Sequence, residues 1–389
     1  MSIYDFDLVI PRQGTDALKW SGLKALCPAR DGDIIPLWVA DMDFAVLPAI
    51  QAALAGRVAH PLYGYSRTSE DFFQSFRNWM ACRHDCVMPQ AWIGFAPGIV
   101  PAIAALIHAV TGPGDGVVIM PPVYHPFGSL VVNNGRTLRE APLRTIEGRY
   151  VIDFEALERA AAGARLLLLC SPHNPVGRVW TRDELGQIAD IAERHDLIVL
   201  ADEIHADLVF RPHRHIPALA ISEAFSRRLV SAWAPSKTFN IAGLQTSYTI
   251  IADAGLRRSF GEGLNAMGLG LPNCFGMAGA IAAYRDGGPW LDELLVYLHG
   301  NYTHLVRRLA EGVPAITVHA CEGTYLAWLD LRALGLDGDV HRRLLDQAGL
   351  WLDAGSRFGT GGAGFARLNF GCPRSILDQA IERLIQAFG

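Results

Sequence analysis

Three short stretches place reactive side chains where the backbone must turn. Lys237 stands in A-P-S-K-T-F-N, Ala234 to Asn240, after the apolar-rich run Arg228 to Trp233 and before the glycine of I-A-G-L. Its small and hydroxylated neighbours present the amine from a turn. A lysine desolvated in such a place loses its charge, and the neutral amine is both nucleophile and base. Taken alone, the same letters also describe an ordinary loop lysine. The second stretch, S-P-H-N-P-V-G-R, Ser171 to Arg178, follows the apolar run Leu166 to Cys170, and the third, A-D-E-I-H, Ala201 to His205, follows Leu197 to Leu200. Both runs read as strands, so Asn174 and Asp202 project from strand carboxyl ends, where open α/β sheets bind ligands. Further on, G-A-G-F-A-R-L-N-F-G-C-P-R carries Arg367 between apolar residues on an expected strand. A buried arginine requires an anion, and its planar fork matches a carboxylate. That anion is either a substrate carboxylate or the partner in a structural ion pair.

The elements that must position these groups are legible from Ile152 onward, where short apolar runs alternate with amphipathic helical segments. That pattern implies an α/β fold, a mostly parallel sheet covered by helices on both faces. G-x-G-x-x-G is absent, so a dinucleotide site is not supported. Ala96 to Val100, A-P-G-I-V, opens an apolar helix expected over Pro101 to Val110. Gly98 permits close backbone approach, and amides at Gly98 and Ile99 on a helix N-terminus favour an anion, although a plain glycine turn fits the same letters. Thr111 to Phe127 gives a turn, a buried strand and a proline-rigid loop carrying Tyr124. Ala49 to Arg57 reads as a helix, followed by the loop P-L-Y-G-Y-S-R with Tyr65. A long helix over Trp290 to Leu309 leads into a smaller α+β domain holding Arg367. The expected division is 1–45 joined to the small domain, 46–285 as the large domain and 286–389 as the small one.

Composition excludes other classes. A formal charge of −5 with interspersed signs leaves no basic stripe for a nucleic acid. No apolar run approaches the roughly 18 residues of a membrane span. Acids at Asp5 and Asp7 do not read as a secretory signal, so a cytoplasmic protein is expected. Seven cysteines are scattered from Cys27 to Cys372, an odd number that favours reduced thiols. Cys82, His84 and Cys86 lack a second pair at finger-like spacing, and no HExxH is present, so no metal is expected.

The ordered trio of Asn174, Asp202 and Lys237 resembles the pyridoxal-phosphate enzymes of the class I and II aminotransferase fold, fold type I. The resemblance implies that pyridoxal 5'-phosphate is the cofactor. Lys237 then bonds to its aldehyde and removes the substrate α-proton. Asp202 pairs with the protonated ring nitrogen, Asn174 donates to the phenolic oxygen, and Tyr124 lies on the ring. Gly98, Ile99 and Ser236 hold the phosphate, Tyr65 reaches the phosphate of a neighbouring subunit, and Arg367 holds the substrate carboxylate. A homodimer follows from the role of Tyr65.

P-L-W-V-A-D-M-D-F, D-E-I-H and A-P-S-K-T-F-N-I-A-G-L are similar to the MalY/PatB carbon-sulfur lyase branch, and the likeness covers almost the whole chain. Aspartate-type aminotransferases commonly carry tyrosine at His205, arginine at Gln245 and a hydroxyl residue at Ala234; His205 and Gln245 agree with the lyase branch instead. His205 is read either as a partner of the phenolic oxygen or as a satisfied core histidine. The implied activity is β-elimination from S-substituted cysteines such as L-cystathionine, giving homocysteine, pyruvate and ammonia. An aminotransferase, which begins with the same proton abstraction, is the alternative; a regulatory protein-binding role alongside lyase activity is a second.

Overall fold

In the computed structural model, which describes residues 4–21, 23, 33–335 and 339–389, the apolar runs form the middle of a seven-stranded sheet. Cys27 lies outside the described residues. The strands in chain order are β1 (Ile93–Ala96), β2 (Gly116–Ile119), β3 (Thr137–Glu140), β4 (Ala164–Cys170), β5 (Ile198–Asp202), β6 (Leu229–Trp233) and β7 (Ser247–Ile250). Across the sheet the order is β1-β7-β6-β5-β4-β2-β3, with β7 antiparallel to both neighbours and every other pair parallel.

Strand side chains alternate between faces. Leu166, Leu168 and Cys170 therefore join Leu200, Val230 and Ala232 on one face, while Leu167, Leu169, Val199 and Ala201 pack on the other. Both faces are covered, which is why L-L-L-L-C is a continuous apolar run rather than an alternating one. The helices that matter are α1 (Pro48–Ala59), α2 (Glu70–His84), α3 (Ile99–Val110), α4 (Arg182–Arg194), α5 (Ala254–Ala266), α6 (Cys274–Asp286), α7 (Gly288–Gly312) and α8 (Arg374–Phe388). Helices α3 and α5 cover the first face and α4 the second. Helix α4 starts with a capping box: Thr181 accepts from the Glu184 amide, and the Glu184 side chain accepts from the Thr181 amide.

Helix α7 runs 25 residues, further at both ends than Trp290 to Leu309, and leads to an antiparallel sheet of β8 (Thr317–Val318), β9 (Leu326–Asp330), β10 (Asp353–Ala354) and β11 (Phe365–Asn369) in the order β8-β9-β11-β10. Ile35–Pro36 pairs in parallel with Leu350–Trp351 as a separate two-stranded sheet just before β10. One apolar cluster joins α2, α6, α7 and the small sheet. Helix α2 splits the Cys82, His84, Cys86 string: it ends at His84, whose Nε2 lies 2.8 Å from Asp207, and Cys86 is buried beyond it. Among the described residues no group of His, Cys, Asp or Glu has metal-holding geometry, and no helix is long and apolar enough to cross a membrane.

Candidate active site

The carboxyl ends of β4, β5 and β6 stand in one row, Cys170 opposite Asp202 and Asp202 opposite Ala232. Asn174 lies four residues beyond Cys170 and Lys237 five beyond Ala232, so all three groups leave the same edge of the sheet. Lys237 sits on a one-turn helix, Pro235–Thr238, where the sequence suggested a turn. Pro235 is the reason: at the first helical position its fixed φ is preset for the helix, and its carbonyl accepts from the Phe239 amide at 2.9 Å.

The lysine amine donates to the Ala40 carbonyl at 2.6 Å. Burial and the like charge of Arg367 push it down to about 8, against the pull of Asp41 and Asp202. Asp202 is buried and accepts from the Ile204 amide at 3.2 Å. Burial pushes it up to about 7, opposed by that amide and by Lys237. Both shifts have one origin, the exclusion of water. A lysine and an aspartate brought towards neutrality from opposite sides are suited to moving a proton, or to holding one on a third group.

Arg367, on β11, is buried beneath three acceptors: Asn174 Oδ1 at 3.0 Å, the Trp38 carbonyl at 2.7 Å and Asp353 Oδ2 at 2.8 Å. Its guanidinium carbon lies 5.0 Å from the centre of the Phe358 ring. The structural ion pair is therefore present, with Asp353, while Arg367 Nε is buried without a partner among the described residues. His205 is likewise buried with an unpartnered Nδ1, so that nitrogen is not satisfied by the core. Burial, with Lys237 and Arg367 nearby, holds its imidazole well below its ordinary value. Tyr124 is half-buried on its loop, and burial together with the charge of Asp202 pushes its phenol up to about 12.

Gly98 precedes α3 with φ of 125°, a conformation that favours glycine, and α3 has no side-chain cap. The Gly98 amide donates to Ser247 Oγ at 3.2 Å, which leaves the first turn, starting at Ile99, to face an anion. Ser236 is half-buried immediately before the lysine. Tyr65, by contrast, is 97% exposed and joins no part of the site within its own chain, and Gln245 is exposed as well.

The sequence singled out P-L-W-V-A-D-M-D-F, Pro36 to Phe44, by resemblance, but not the contacts that make it a strap over the site. The Ala40 carbonyl accepts from both Lys237 and the Tyr325 hydroxyl, the latter at 2.8 Å. Asn369 Nδ2 donates to the Val39 and Asp41 carbonyls at 2.7 and 2.6 Å. Asn240 takes the Met42 amide at 3.0 Å and donates to the Met42 and Phe44 carbonyls, each at 2.9 Å. The segment from Val39 to Phe44 is thus bound by Lys237 and Asn240 beyond the end of β6 and by Tyr325 and Asn369 at β9 and β11. The asparagine that ends A-P-S-K-T-F-N and that of R-L-N-F were the available signals.

The site passes a chemical fit test for a phosphorylated aldehyde. A neutralised amine would bond to the aldehyde, a strand-end carboxylate would face a ring nitrogen, and an uncapped helix start would meet the phosphate. The unpartnered His205 Nδ1 and Arg367 Nε are the buried polar atoms that a bound molecule would satisfy. Fold and site together define an α/β enzyme with a strand-end lysine. The chain belongs to the aminotransferase class I and II family, whose model matches residues 33–384. It is 40% identical over 98% of both chains to cystathionine beta-lyase PatB of Bacillus subtilis, and 35% identical over 99% of both to Protein MalY of Escherichia coli. Its fold superposes on the crystal structure of cystalysin from Treponema denticola, which contains a pyridoxal 5'-phosphate cofactor, with a TM-score of 0.96, 36% identity and 99% coverage of each chain.

Proposed function

We propose that this protein is a pyridoxal 5'-phosphate-dependent carbon-sulfur β-lyase that cleaves S-substituted cysteines such as L-cystathionine to a thiol, pyruvate and ammonia. The observation that carries the reading is the enclosed Lys237 amine beside Asp202, in a chain similar along its whole length to a cystathionine beta-lyase. The bound cofactor supplies an aldehyde and an electron-withdrawing ring that acidify the substrate α-carbon. Lys237 anchors it and, in its neutral form, takes the α-proton. Asp202 keeps a proton on the ring nitrogen beside it, and Asn174 donates to the phenolic oxygen while its own oxygen steadies Arg367. Tyr124 would pack against the cofactor ring, its phenol protonated. Amides at the α3 start and Ser236 hold the phosphate, and His205 turns its free nitrogen towards the bound molecule. Arg367 receives the α-carboxylate through Nε. Residues 46–285 form the cofactor-holding body, with 286–389 and the 1–45 segment as its smaller partner.

The working unit we infer is a homodimer in which Tyr65 completes the neighbour's site. Leu62, Tyr63 and Tyr65 are exposed by 70%, 54% and 97%, and Leu271, which lines the same groove as Arg67, by 61%. Tyr63 meets Phe275 at the start of α6, and exposed apolar side chains of this kind suit a surface covered by a second copy.

Given L-cystathionine without any keto acid, the enzyme is expected to release pyruvate, ammonia and homocysteine over many turnovers, because β-elimination consumes no amino-group acceptor. A transaminase stops after one equivalent until an acceptor is added. Pyruvate that never exceeds one equivalent per site, with turnover restored by a keto acid, would falsify the lyase reading.

Cofactor uptake carries its own pH signature. With its amine lowered to about 8, Lys237 is neutral in roughly one molecule in ten at pH 7, against about one in three thousand for an ordinary lysine. The rate of pyridoxal phosphate incorporation into the apoprotein is expected to rise from pH 6 to about 8 and then level off. A rise continuing through pH 10 would show an unperturbed amine.

A further inference from the structure

Asp353 is shared by two arginines of different exposure. Its Oδ2 accepts from Arg367 Nη2 at 2.8 Å, and its Oδ1 accepts from Arg357 Nη1 at 2.7 Å. The Arg367 side chain is 3% exposed, whereas that of Arg357 is 45% exposed. The two guanidinium groups therefore stand one carboxylate apart, the first inside the site and the second towards solvent.

Arg357 is held in place rather than free. It lies on the single turn Gly355–Phe358, seated so tightly that a Cβ at Gly355 would come 2.5 Å from the Phe365 carbonyl oxygen. Its Nη2 donates to His125 Nε2 at 3.0 Å, which makes His125 a neutral acceptor and places Arg357 beside the residue that follows Tyr124. The Phe358 ring underlies Arg367 and contacts His125, with centroids 5.8 Å apart, so one side chain packs against both ends of the arrangement. Among the described residues no acceptor meets Arg357 Nε, and Asp353 is its sole carboxylate partner, already divided with Arg367. Two guanidinium charges against one carboxylate leave this corner with an excess positive charge.

From this geometry we infer that Arg357 is a specificity-determining residue that receives the distal carboxylate of a substrate whose S-substituent is itself an amino acid. The inference rests on the reading that Arg367 takes the α-carboxylate. A cysteine S-linked to a second amino acid carries two carboxylates separated by a flexible thioether chain, which can extend from the buried arginine to the exposed one. Its distal arm is a zwitterion, so its carboxylate approaches Arg357 without adding net charge. A short S-alkyl substituent has nothing to offer Arg357.

The test compares kcat/KM for L-cystathionine and S-methyl-L-cysteine in the holoenzyme, and dissociation constants for the same pair by spectral titration, so that a loss of turnover does not silence the measurement. In Arg357→Gln the cystathionine to S-methylcysteine ratio is expected to fall roughly 10-fold, the scale of one charge-assisted hydrogen bond at a half-exposed site. Arg357→Lys is expected to recover part of it, and added salt should erode the wild-type ratio but not that of the glutamine variant. A ratio within twofold of wild type in Arg357→Gln overturns the inference, even if both rates fall together, since that pattern means Arg357 merely steadies Asp353. Arg367→Lys separates the underlying reading: it should lower both substrates in parallel, and full retention of both would defeat the α-carboxylate role without bearing on the Arg357 ratio.

Discussion

Lys237→Ala should lose turnover by about 10⁴-fold, the upper range for removing a positioned general base, and with it the long-wavelength absorption of the bound cofactor. The expectation follows from position. The amine is half-buried, lowered to about 8 and aimed across the strand ends to within 2.6 Å of the Ala40 carbonyl. Absorption spectra and steady-state assays check the two losses separately. A variant that keeps both colour and turnover would remove Lys237 as anchor and base. Mixing inactive Lys237→Ala with inactive Tyr65→Phe subunits extends the experiment to assembly. Recovered activity after reassembly is expected if Tyr65 serves the neighbouring site, because one site of each mixed dimer then has both residues. No recovery would mean each subunit carries a self-sufficient site.

Asp202→Ala should lower kcat by about 10²- to 10³-fold while KM moves much less, the pattern of an interaction that matters most as charge develops. The carboxylate is buried between β4 and β6, with the Ile204 amide as its hydrogen-bond donor, so its charge is exposed to little screening. Its pKa, raised to about 7, means that burial opposes the charged form until a cation arrives beside it. A protonated ring nitrogen is such a cation. Asp202→Asn, which preserves shape without charge, should behave like the alanine variant. An unchanged kcat in either would contradict the role given to Asp202.

The parts legible in the sequence were those whose side chains do the work. Strand ends before Asn174 and Asp202 were visible because doubly covered strands require unbroken apolar runs, and Lys237 because its neighbours are too small and polar for a surface helix. The need of Arg367 for an anion was also legible, but not that Asp353, 14 residues away on β10, would provide one. Antiparallel pairing of β10 with β11 sets Asp353 opposite Arg367, and pairing is a property of two segments at once. The strap was harder still. At Trp38, Val39, Ala40 and Asp41 the contributing atoms are backbone carbonyls, which every residue possesses, so no letter marks them. Helix α2 was overlooked although its signal was present: Ser69 caps it, and Phe72, Phe76, Trp79 and Met80 recur at helical spacing on the face that Tyr248 and Tyr284 cover.

The row formed by Cys170, Asp202 and Ala232 makes the sheet a measuring gauge as well as a scaffold. A slip of one residue between β4 and β5 would shift Asp202 by about 3.3 Å against Asn174 and turn its side chain to the opposite face. The apolar ladders on either side of these strands tolerate such a slip poorly, but both faces are greasy, so the penalty from packing alone is smaller than in a sheet with one wet side. What distinguishes the true alignment is the set of buried polar side chains that meet across segments at its end: Ser231 of β6 on Glu203 just beyond β5, and Asn174 on Arg367. A misaligned chain would bury these groups unpaired. The residues that suit the protein for chemistry thereby also proofread its assembly.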